Sequence, residues 1–165
     1  MQKPKLVMVG NGMAGVRTLE ELLKLAPHFY DITVFGAEPY PNYNRIMLSP
    51  VLTGEQTVQD IVLNDEQWYA EHGIALRLDC AVTRIDRARR LVHAADGTSV
   101  PYDRLLLATG SNPFVLPVPG NDLQGVVTFR DIRDVNRMIE AAAVHRNAVV
   151  IGGGLLGLEA AAGLA

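Results

Sequence analysis

The sequence is poor in cysteine, in basic charge and in long apolar runs, and each shortage excludes a class of protein. Cys80 is the only cysteine, which excludes an internal disulfide and a multi-cysteine metal or iron–sulfur site within the 165 residues. The formal net charge of −3 provides no basic excess to displace counterions from nucleic acid. No apolar run approaches membrane-spanning length, and residues 1–5 lack a hydrophobic secretory core. We therefore expect a soluble cytoplasmic protein that binds no metal, nucleic acid or membrane.

A glycine motif near the amino terminus organises the rest of the chain. The apolar residues 6–9 predict a strand, and G-x-G-x-x-G follows at Gly10, Gly12 and Gly15, opening a helical pattern over residues 14–25. In such a strand–turn–helix the first glycine makes the tight turn, the second lets the backbone approach a pyrophosphate, and the third lets the helix pack on the strand. The unpaired N–H groups at the helix start face the anion.

An acidic residue strengthens this interpretation. Glu38 follows a second predicted strand, Asp31–Phe35, at about the distance from the glycines where a carboxylate hydrogen-bonds the ribose of a dinucleotide. Strand, helix and strand form a βαβ unit, which predicts a parallel sheet. The alternative from these residues alone is a glycine turn in an α/β protein that binds nothing.

A loop and a capped helix are predicted next. Residues 36–50 contain three prolines and two tyrosines with little periodicity, and this pattern is typical of a rigid loop. Arg45 is its one cation, and a guanidinium suits a phosphate; the alternative is a solvated surface arginine. Asn64 is predicted to cap the following helix, with Gln67 completing a capping box and Gly73 ending the helix.

A period of two predicts a small antiparallel meander after that helix. Its predicted strands are residues 75–79, residues 81–85 and Leu91–Ala94. Asp96 and Gly97 have the sequence of a tight hairpin turn. We expect this meander to be inserted into the parallel fold.

The chain then returns to the parallel sheet. Three leucines at residues 105–107 predict a central parallel strand that is buried on both faces. The strand leads to Ala108, Thr109 and Gly110, where small residues let a ligand or another segment come close; the alternative is a simple turn between strand and helix. Residues 111–120 contain three prolines and predict an interdomain connection.

The opening motif is repeated near the carboxyl terminus. A helix is predicted over residues 131–145 and a strand over residues 148–151. Two glycine motifs in one chain, each between strand and helix patterns, are a stronger signal than one. The second motif consists of Gly152, Gly154 and Gly157, with Glu159 in the helix that follows.

The second motif also predicts the domain organisation. We expect an incomplete first domain over residues 1–113, and a linker with the start of a second domain over residues 114–165. One strand cannot bury its own faces. The chain is therefore expected to be a fragment of a longer protein.

The order of these features resembles a known superfamily. Two glycine motifs, Glu38, the meander and Ala108-Thr109-Gly110 occur in this order in FAD-dependent pyridine nucleotide oxidoreductases, over the whole chain. Residues 9–16, 35–45 and 48–50 resemble more narrowly the amino-terminal part of the large subunits of NAD(P)H-dependent assimilatory nitrite reductases. The resemblance implies an α/β fold of the FAD/NAD(P)-binding type, with a Rossmann-like parallel sheet and a small antiparallel β-meander, truncated here.

The resemblance also implies a set of cofactor-binding residues. The first glycine loop would hold the FAD pyrophosphate and Glu38 the adenosine ribose, while the second glycine loop would hold NAD(P)H. Val82, on the second predicted meander strand, would meet the adenine through its backbone. Pro50 stands where many relatives have a lysine near the flavin ring, and the lack of a cysteine pair excludes the disulfide-using branch. The implied residues are Gly10, Gly12, Met13, Ala14, Gly15, Glu38, Tyr43, Asn44, Arg45, Val82, Ala108, Thr109, Gly110, Gly152, Gly154, Gly157 and Glu159.

The implied reaction passes hydride from NAD(P)H to FAD and then electrons to a metal centre that reduces nitrite to ammonium. Sirohaem and an iron–sulfur cluster would lie outside this chain, and no residue is indicated as a general acid or base. Alone, the chain is expected to bind FAD weakly or incompletely and to have little or no reductase activity. A second copy of the chain or a small subunit is the expected protein partner.

Three alternatives stay open at this point. The chain fits a fragment of a FAD-dependent ferredoxin or rubredoxin reductase, a non-catalytic nucleotide-binding module, or a plain dehydrogenase with NAD in the first loop. The choice between NADH and NADPH also stays open.

Overall fold

A computed structural model describes residues 3–165; Met1 and Gln2, part of the segment examined for a secretory core, lie outside the described residues. The chain divides into two compact units. Unit 1 contains the described residues through Tyr43 and Val62–Gly110, and unit 2 contains Asn44–Ile61 and Ser111–Ala165. The elements in chain order are β1 Lys5–Val9, α1 Met13–Leu25, β2 Asp31–Phe35, β3 Asn42–Tyr43, a 3₁₀ turn Arg45–Met47, α2 Leu48–Leu52, β4 Val62–Asn64, α3 Glu66–Glu71, β5 Ile74–Arg77, β6 Val82–Asp86, β7 Leu91–Ala94, β8 Ser99–Pro101, β9 Arg104–Leu107, α4 Ile132–Val144 and α5 Leu155–Gly163.

Unit 1 is built on a four-stranded parallel sheet. Its strand order is β5-β2-β1-β9. In the register, Val9 lies opposite Phe35 of β2 and opposite Leu107 of β9. The carboxyl ends of these three strands are therefore level, and the loops that follow them share one edge of the sheet. The predicted βαβ unit is confirmed.

Alternate side chains of β1 pack into two different hydrophobic cores, because successive residues of a strand point to opposite faces of the sheet. Leu6 and Met8 pack with α1 and α3 on one face. Val7 and Val9 pack with the meander on the other. The first core contains Leu6, Met8, Val16, Leu19, Leu23, Ile32, Val34, Tyr69 and Ile74. The second core contains Val7, Val9, Phe35, Cys80, Val92 and Ala94.

The meander is formed by β6, β7 and β8, which pair antiparallel. The predicted first meander strand, residues 75–79, is wrong: β5 pairs parallel with β2 at the sheet edge. The two-residue period correctly predicts a strand here, but its partner is determined by long-range packing that the pattern does not encode. Val82 consequently lies on the first meander strand. The turn at Asp96 and Gly97 is confirmed, with Gly97 at φ 84°.

Two further predictions in unit 1 are wrong. Within the described chain β9 is an edge strand and not a central one, because it pairs with β1 alone. Leu107 is 58% exposed as a result. The cap of α3 is Asp65, whose Oδ1 accepts from the N–H of Trp68 at 2.9 Å. Asn64 instead ends β4 and is buried, where its amide has other partners.

Helix α3 carries the one tryptophan of the chain. Trp68 packs against the first core, and the centroid of its ring lies 4.5 Å from that of His72. His72 Nδ1 lies 2.7 Å from the Trp68 carbonyl oxygen at the helix end. Tyr69 of the same helix is 1% exposed and belongs to the first core.

Unit 2 is helical. Its helix α2 contacts α4 and α5, and α4 buries Ile132, Val135 and Met138. The strand predicted over residues 148–151 does not form: these residues have no strand partner, and Val149 is 88% exposed. In residues 3–165, no helix combines the length and apolar character needed to cross a membrane.

Candidate functional site

The first glycine loop follows β1 and packs closely against the end of β2 and the segment after β9. The N–H of Gly10 donates to the Phe35 carbonyl at 2.8 Å, and Gly10 adopts φ +100°. A Cβ at Gly10 would overlap the carbonyl of Ala108, and a Cβ at Gly15 would lie 2.9 Å from the Cβ of Ala108. The structure thus brings Gly10, Gly15 and Ala108 together, and the close approach requires small residues at each of them.

Gly12 occupies a different environment at the start of α1. It is the N-cap residue, with φ −75° and ψ 175°, and provides no side-chain cap. A Cβ placed there would meet nothing within 4 Å. The first N–H groups of a helix lack intrahelical partners. Because no side chain of Gly12 covers them, this end of α1 can accept an anion.

Glu38 lies in the loop that follows β2, and a tyrosine anchors it. The Tyr43 hydroxyl donates to Glu38 Oε2 at 2.6 Å, and Tyr43 is 5% exposed. The Glu38 carbonyl accepts from the N–H of Asp79 at 3.0 Å. Backbone and side chain of Glu38 are therefore both fixed, beside the edge of the sheet where the first glycine loop begins.

Asn11 is a site residue that the sequence reasoning missed. Its Nδ2 donates to the Tyr40 carbonyl at 3.1 Å. A Cβ at Gly36 would lie 2.6 Å from Asn11 Oδ1, so a larger residue there would displace the Asn11 amide. Asn11 thus joins the first glycine loop to the loop that carries Glu38. The available signal was its place between two motif glycines.

Cys80 and Val82 follow β5 near the same loop. The N–H of Cys80 donates to the Gly36 carbonyl at 2.9 Å, and Val82 lies opposite Ala94 in the meander. Burial raises the pKa of the Cys80 thiol, and its contact with Asp96 acts in the same direction. A buried, protonated thiol is a poor nucleophile, which supports a structural role for Cys80.

Unit 2 contains the remaining predicted residues. Asn44 Oδ1 accepts from the N–H of Ile46 at 3.1 Å, and Arg45 Nη1 donates to the Arg130 carbonyl at 3.0 Å. The Ser49 hydroxyl donates to Glu159 Oε2 at 2.6 Å. The Glu159 carboxylate is therefore held by a residue of α2.

The second glycine loop reproduces part of the geometry of the first. Gly154 is the N-cap of α5, with φ −80° and ψ 175°, again without a side-chain cap. A Cβ at Gly157 would overlap the Gly152 carbonyl. Within residues 3–165, no three His, Cys, Asp or Glu side chains are placed together so that they could hold a metal ion.

The chain is similar in sequence to known oxidoreductases. The family described as pyridine nucleotide-disulphide oxidoreductase matches residues 4–165. The chain is 54% identical to the nitrite reductase (NAD(P)H) of Bacillus subtilis (strain 168), covering 99% of this chain and 20% of that protein. It is 35% identical to the ferredoxin–NAD(+) reductase component of the biphenyl dioxygenase system of Paraburkholderia xenovorans (strain LB400), covering 94% of this chain and 38% of that protein. The chain therefore spans about a fifth of the length of the first of these relatives.

Solved structures share the fold. The NADH:rubredoxin oxidoreductase of Clostridium acetobutylicum superposes with a TM-score of 0.88 and 26% identity, over 99% of this chain and 42% of that one. Putidaredoxin reductase, in its covalent complex with putidaredoxin, superposes with a TM-score of 0.85 and 32% identity, over 99% of this chain and 40% of that one. The α/β fold with a parallel sheet, a meander and a truncated extent is thus confirmed.

Proposed function

The chain belongs to the pyridine nucleotide-disulphide oxidoreductase family, and on that premise we propose that it is the amino-terminal, FAD-binding part of an NAD(P)H-dependent reductase of the nitrite reductase type. The observation that carries the proposal is the uncapped start of α1 at Gly12, with Glu38 fixed in the neighbouring loop. Backbone N–H groups that can bind a phosphate, beside a carboxylate that can bind ribose, are the arrangement that an adenine dinucleotide requires.

The residues of unit 1 fit the adenosine half of FAD. Backbone N–H groups at Gly12, Met13 and Ala14 would donate to the pyrophosphate. The Glu38 carboxylate would accept hydrogen bonds from the ribose, with Tyr43 fixing its orientation. The open space at Gly12 is the space that a side chain would fill, which supports close approach of a phosphate. Val82 would meet the adenine through its backbone, and the segment 108–110 would lie against the cofactor.

Unit 2 would contribute further contacts to FAD and the residues that bind NAD(P)H. Asn44 and Arg45 are proposed to reach the phosphates or the isoalloxazine. The N–H groups beyond Gly154 are proposed to receive the pyrophosphate of NAD(P)H, with Gly152, Gly157 and Glu159 in the same site. When bound, FAD supplies the conversion between two-electron and one-electron transfer.

The proposed electron acceptor of the parent protein is a metal centre that reduces nitrite to ammonium, with sirohaem and an iron–sulfur cluster held outside this chain. The higher identity to nitrite reductase, 54% against 35% for a ferredoxin reductase component, supports this assignment. The second candidate is a ferredoxin-reducing or rubredoxin-reducing flavoprotein, which the shared fold also supports.

The test is FAD binding by the full chain, measured through the blue absorbance band and the quenching of flavin fluorescence. We expect weak but saturable binding that Gly12→Leu abolishes, because the side chain fills the space in front of α1. Gly154→Leu is the matched control: it places the same side chain at the other uncapped helix and leaves FAD affinity unchanged. A colourless protein that binds adenine nucleotides without FAD would instead support a non-catalytic nucleotide-binding module.

A second measurement addresses activity. NADH-driven dye reduction by the full chain is expected to be near background, because residues 148–151 form no strand in front of the second glycine loop. Robust turnover that depends on added FAD would contradict this part of the proposal.

A further inference from the structure

Two buried asparagines form a polar chain between α1 and the loop of Glu38. Asn42 is 3% exposed and Asn64 is 6% exposed. Asn42 Nδ2 donates to Asn64 Oδ1 at 2.8 Å, and Asn64 Nδ2 donates to Glu20 Oε1 at 3.1 Å. The three residues come from β3, β4 and α1, all within unit 1.

The Glu20 carboxylate determines how both amides point. A carboxylate only accepts hydrogen bonds, so the NH₂ group of Asn64 must face Glu20 and its carbonyl oxygen must face Asn42. Asn42 must then present its own NH₂ group to Asn64. The Asn64 amide in turn is the main cause that lowers the pKa of Glu20 below its ordinary value. The direction of every bond in the chain is therefore fixed by one charge.

The polar chain ends at Asn42, one residue before the tyrosine that holds the carboxylate proposed to bind ribose. Asn42 directly precedes Tyr43, and the Tyr43 hydroxyl donates to Glu38 Oε2 at 2.6 Å. At its other end Glu20 lies on α1, whose first turn is the proposed phosphate site. The hydrogen bonds thus connect the helix that would receive the pyrophosphate to the strand that holds the acid.

Buried amides are costly unless they are hydrogen-bonded, and two apolar side chains would pack at this position more cheaply. The two hydrogen bonds of fixed direction, which leave Asn42 Oδ1 without a partner among the described residues, instead select one placement of β3 relative to α1. We propose that Asn42 and Asn64 are positioning residues that align Glu38, through Tyr43, with the ribose hydroxyls of the bound adenine dinucleotide. This inference rests on the proposed function.

The test compares ADP with 2′-deoxy-ADP and 3′-deoxy-ADP as ligands of the full chain, by titration calorimetry. The ratio of affinities isolates the hydroxyl contact, because loss of overall structure weakens all three ligands alike. We expect the wild type to prefer ADP over at least one deoxy analogue by about tenfold, the effect of one hydrogen bond to a charged group. Glu38→Gln should remove most of this preference.

Asn64→Asp is the decisive variant. It keeps the shape of the side chain but sets a carboxylate against Glu20, which breaks the directed chain. We expect the preference for ADP to fall toward one. The double variant Glu20→Gln with Asn64→Asp restores a donor opposite an acceptor and should recover the preference, whereas Glu20→Gln alone should not mimic the loss caused by Asn64→Asp.

Two further variants keep the test decisive. If Asn64→Asp does not fold by circular dichroism, Tyr43→Phe tests the same link, with Tyr30→Phe as the control that removes a hydroxyl at a distant turn. An unchanged ligand ratio in both Asn64→Asp and Tyr43→Phe, with wild-type binding intact, overturns the inference and leaves the proposed function standing. Failure of the wild type to bind either FAD or ADP overturns the proposed function itself.

Discussion

The two glycine loops share their spacing and their helix start, but only the first is preceded by a strand. Gly12 and Gly154 cap their helices with nearly the same dihedral angles, φ −75° and −80° with ψ 175° in both. Residues before the first loop form β1 at the centre of two cores, whereas residues 148–151 form no strand, with Ile151 76% exposed. A glycine loop and a helix start are therefore local properties of the sequence. A strand needs partners from elsewhere in the fold.

The largest difference between the loops is expected at their first glycines. Gly10→Ala places a Cβ against the Ala108 carbonyl at a positive φ, and should lower the free energy of unfolding by about 3 kcal/mol. Gly152 has φ +133°, but a Cβ there would meet nothing within 4 Å. Gly152→Ala should therefore lower the free energy of unfolding by about 1 kcal/mol. Urea unfolding followed by circular dichroism measures both. Equal costs would show that backbone strain, and not the contact with Ala108, constrains Gly10.

The residues that precede the two glycine loops give the next contrast. Val7→Ala removes two methyl groups from a side chain that is 1% exposed, and should cost about 2 kcal/mol. Val149→Ala alters a side chain that is 88% exposed, and should change stability by less than about 0.5 kcal/mol. The same denaturation experiment applies. A large cost at Val149 would mean that residues 148–151 are packed in solution.

Each unit also contains an acid held by a hydroxyl. The Tyr43 and Ser49 hydroxyls donate to Glu38 and Glu159, both at 2.6 Å. Tyr43→Phe and Ser49→Ala should each destabilise the protein by about 1.5 kcal/mol, the lower end of the net value of a hydrogen bond to a charged group. Only Tyr43→Phe should weaken FAD binding, since Glu38 belongs to the proposed FAD site. Loss of FAD affinity in Ser49→Ala as well would remove that distinction.

The smallest expected effect is a dependence on pH. Hydrogen bonding from Asn64, followed by Arg17, holds the pKa of Glu20 below its ordinary value of 4.5. Below that value the unfolded chain takes up the proton first, so the stability from Glu20 is present above pH 4.5 and is lost as the pH falls through the lower, folded pKa. Glu20→Gln should weaken the dependence of the urea unfolding midpoint on pH between neutral pH and the acid range. An unchanged acid slope would show that Glu20 contributes little.

The local features of the fold were predictable, and the pairings were not. The bounds of β2, the helix pattern of α1 and the turn at Gly97 follow from spacing and turn chemistry. Assigning β5 to the meander was wrong, because alternation does not say which sheet a strand joins. The prediction of Asn64 as the helix cap was wrong for a similar reason. The Asn64 side chain is hydrogen-bonded to Asn42, which is distant in sequence, and so it does not cap α3.

The candidate site divides in the same way. Gly10, Gly15 and Ala108 were predicted, and the structure brings them together because their small size is what close packing requires. Asn11, Asn42 and Asn64 were not predicted as site residues. Their roles depend on hydrogen bonds to Tyr40, to each other and to Glu20, which are residues far away in sequence.

Trp68 gives the molecule a natural optical reporter. It is the one indole in the chain, and it packs on the first core of unit 1. Its emission therefore follows the melting of unit 1 alone, while circular dichroism sums the melting of both units. Recording the two signals together separates the unfolding of the units without any attached dye.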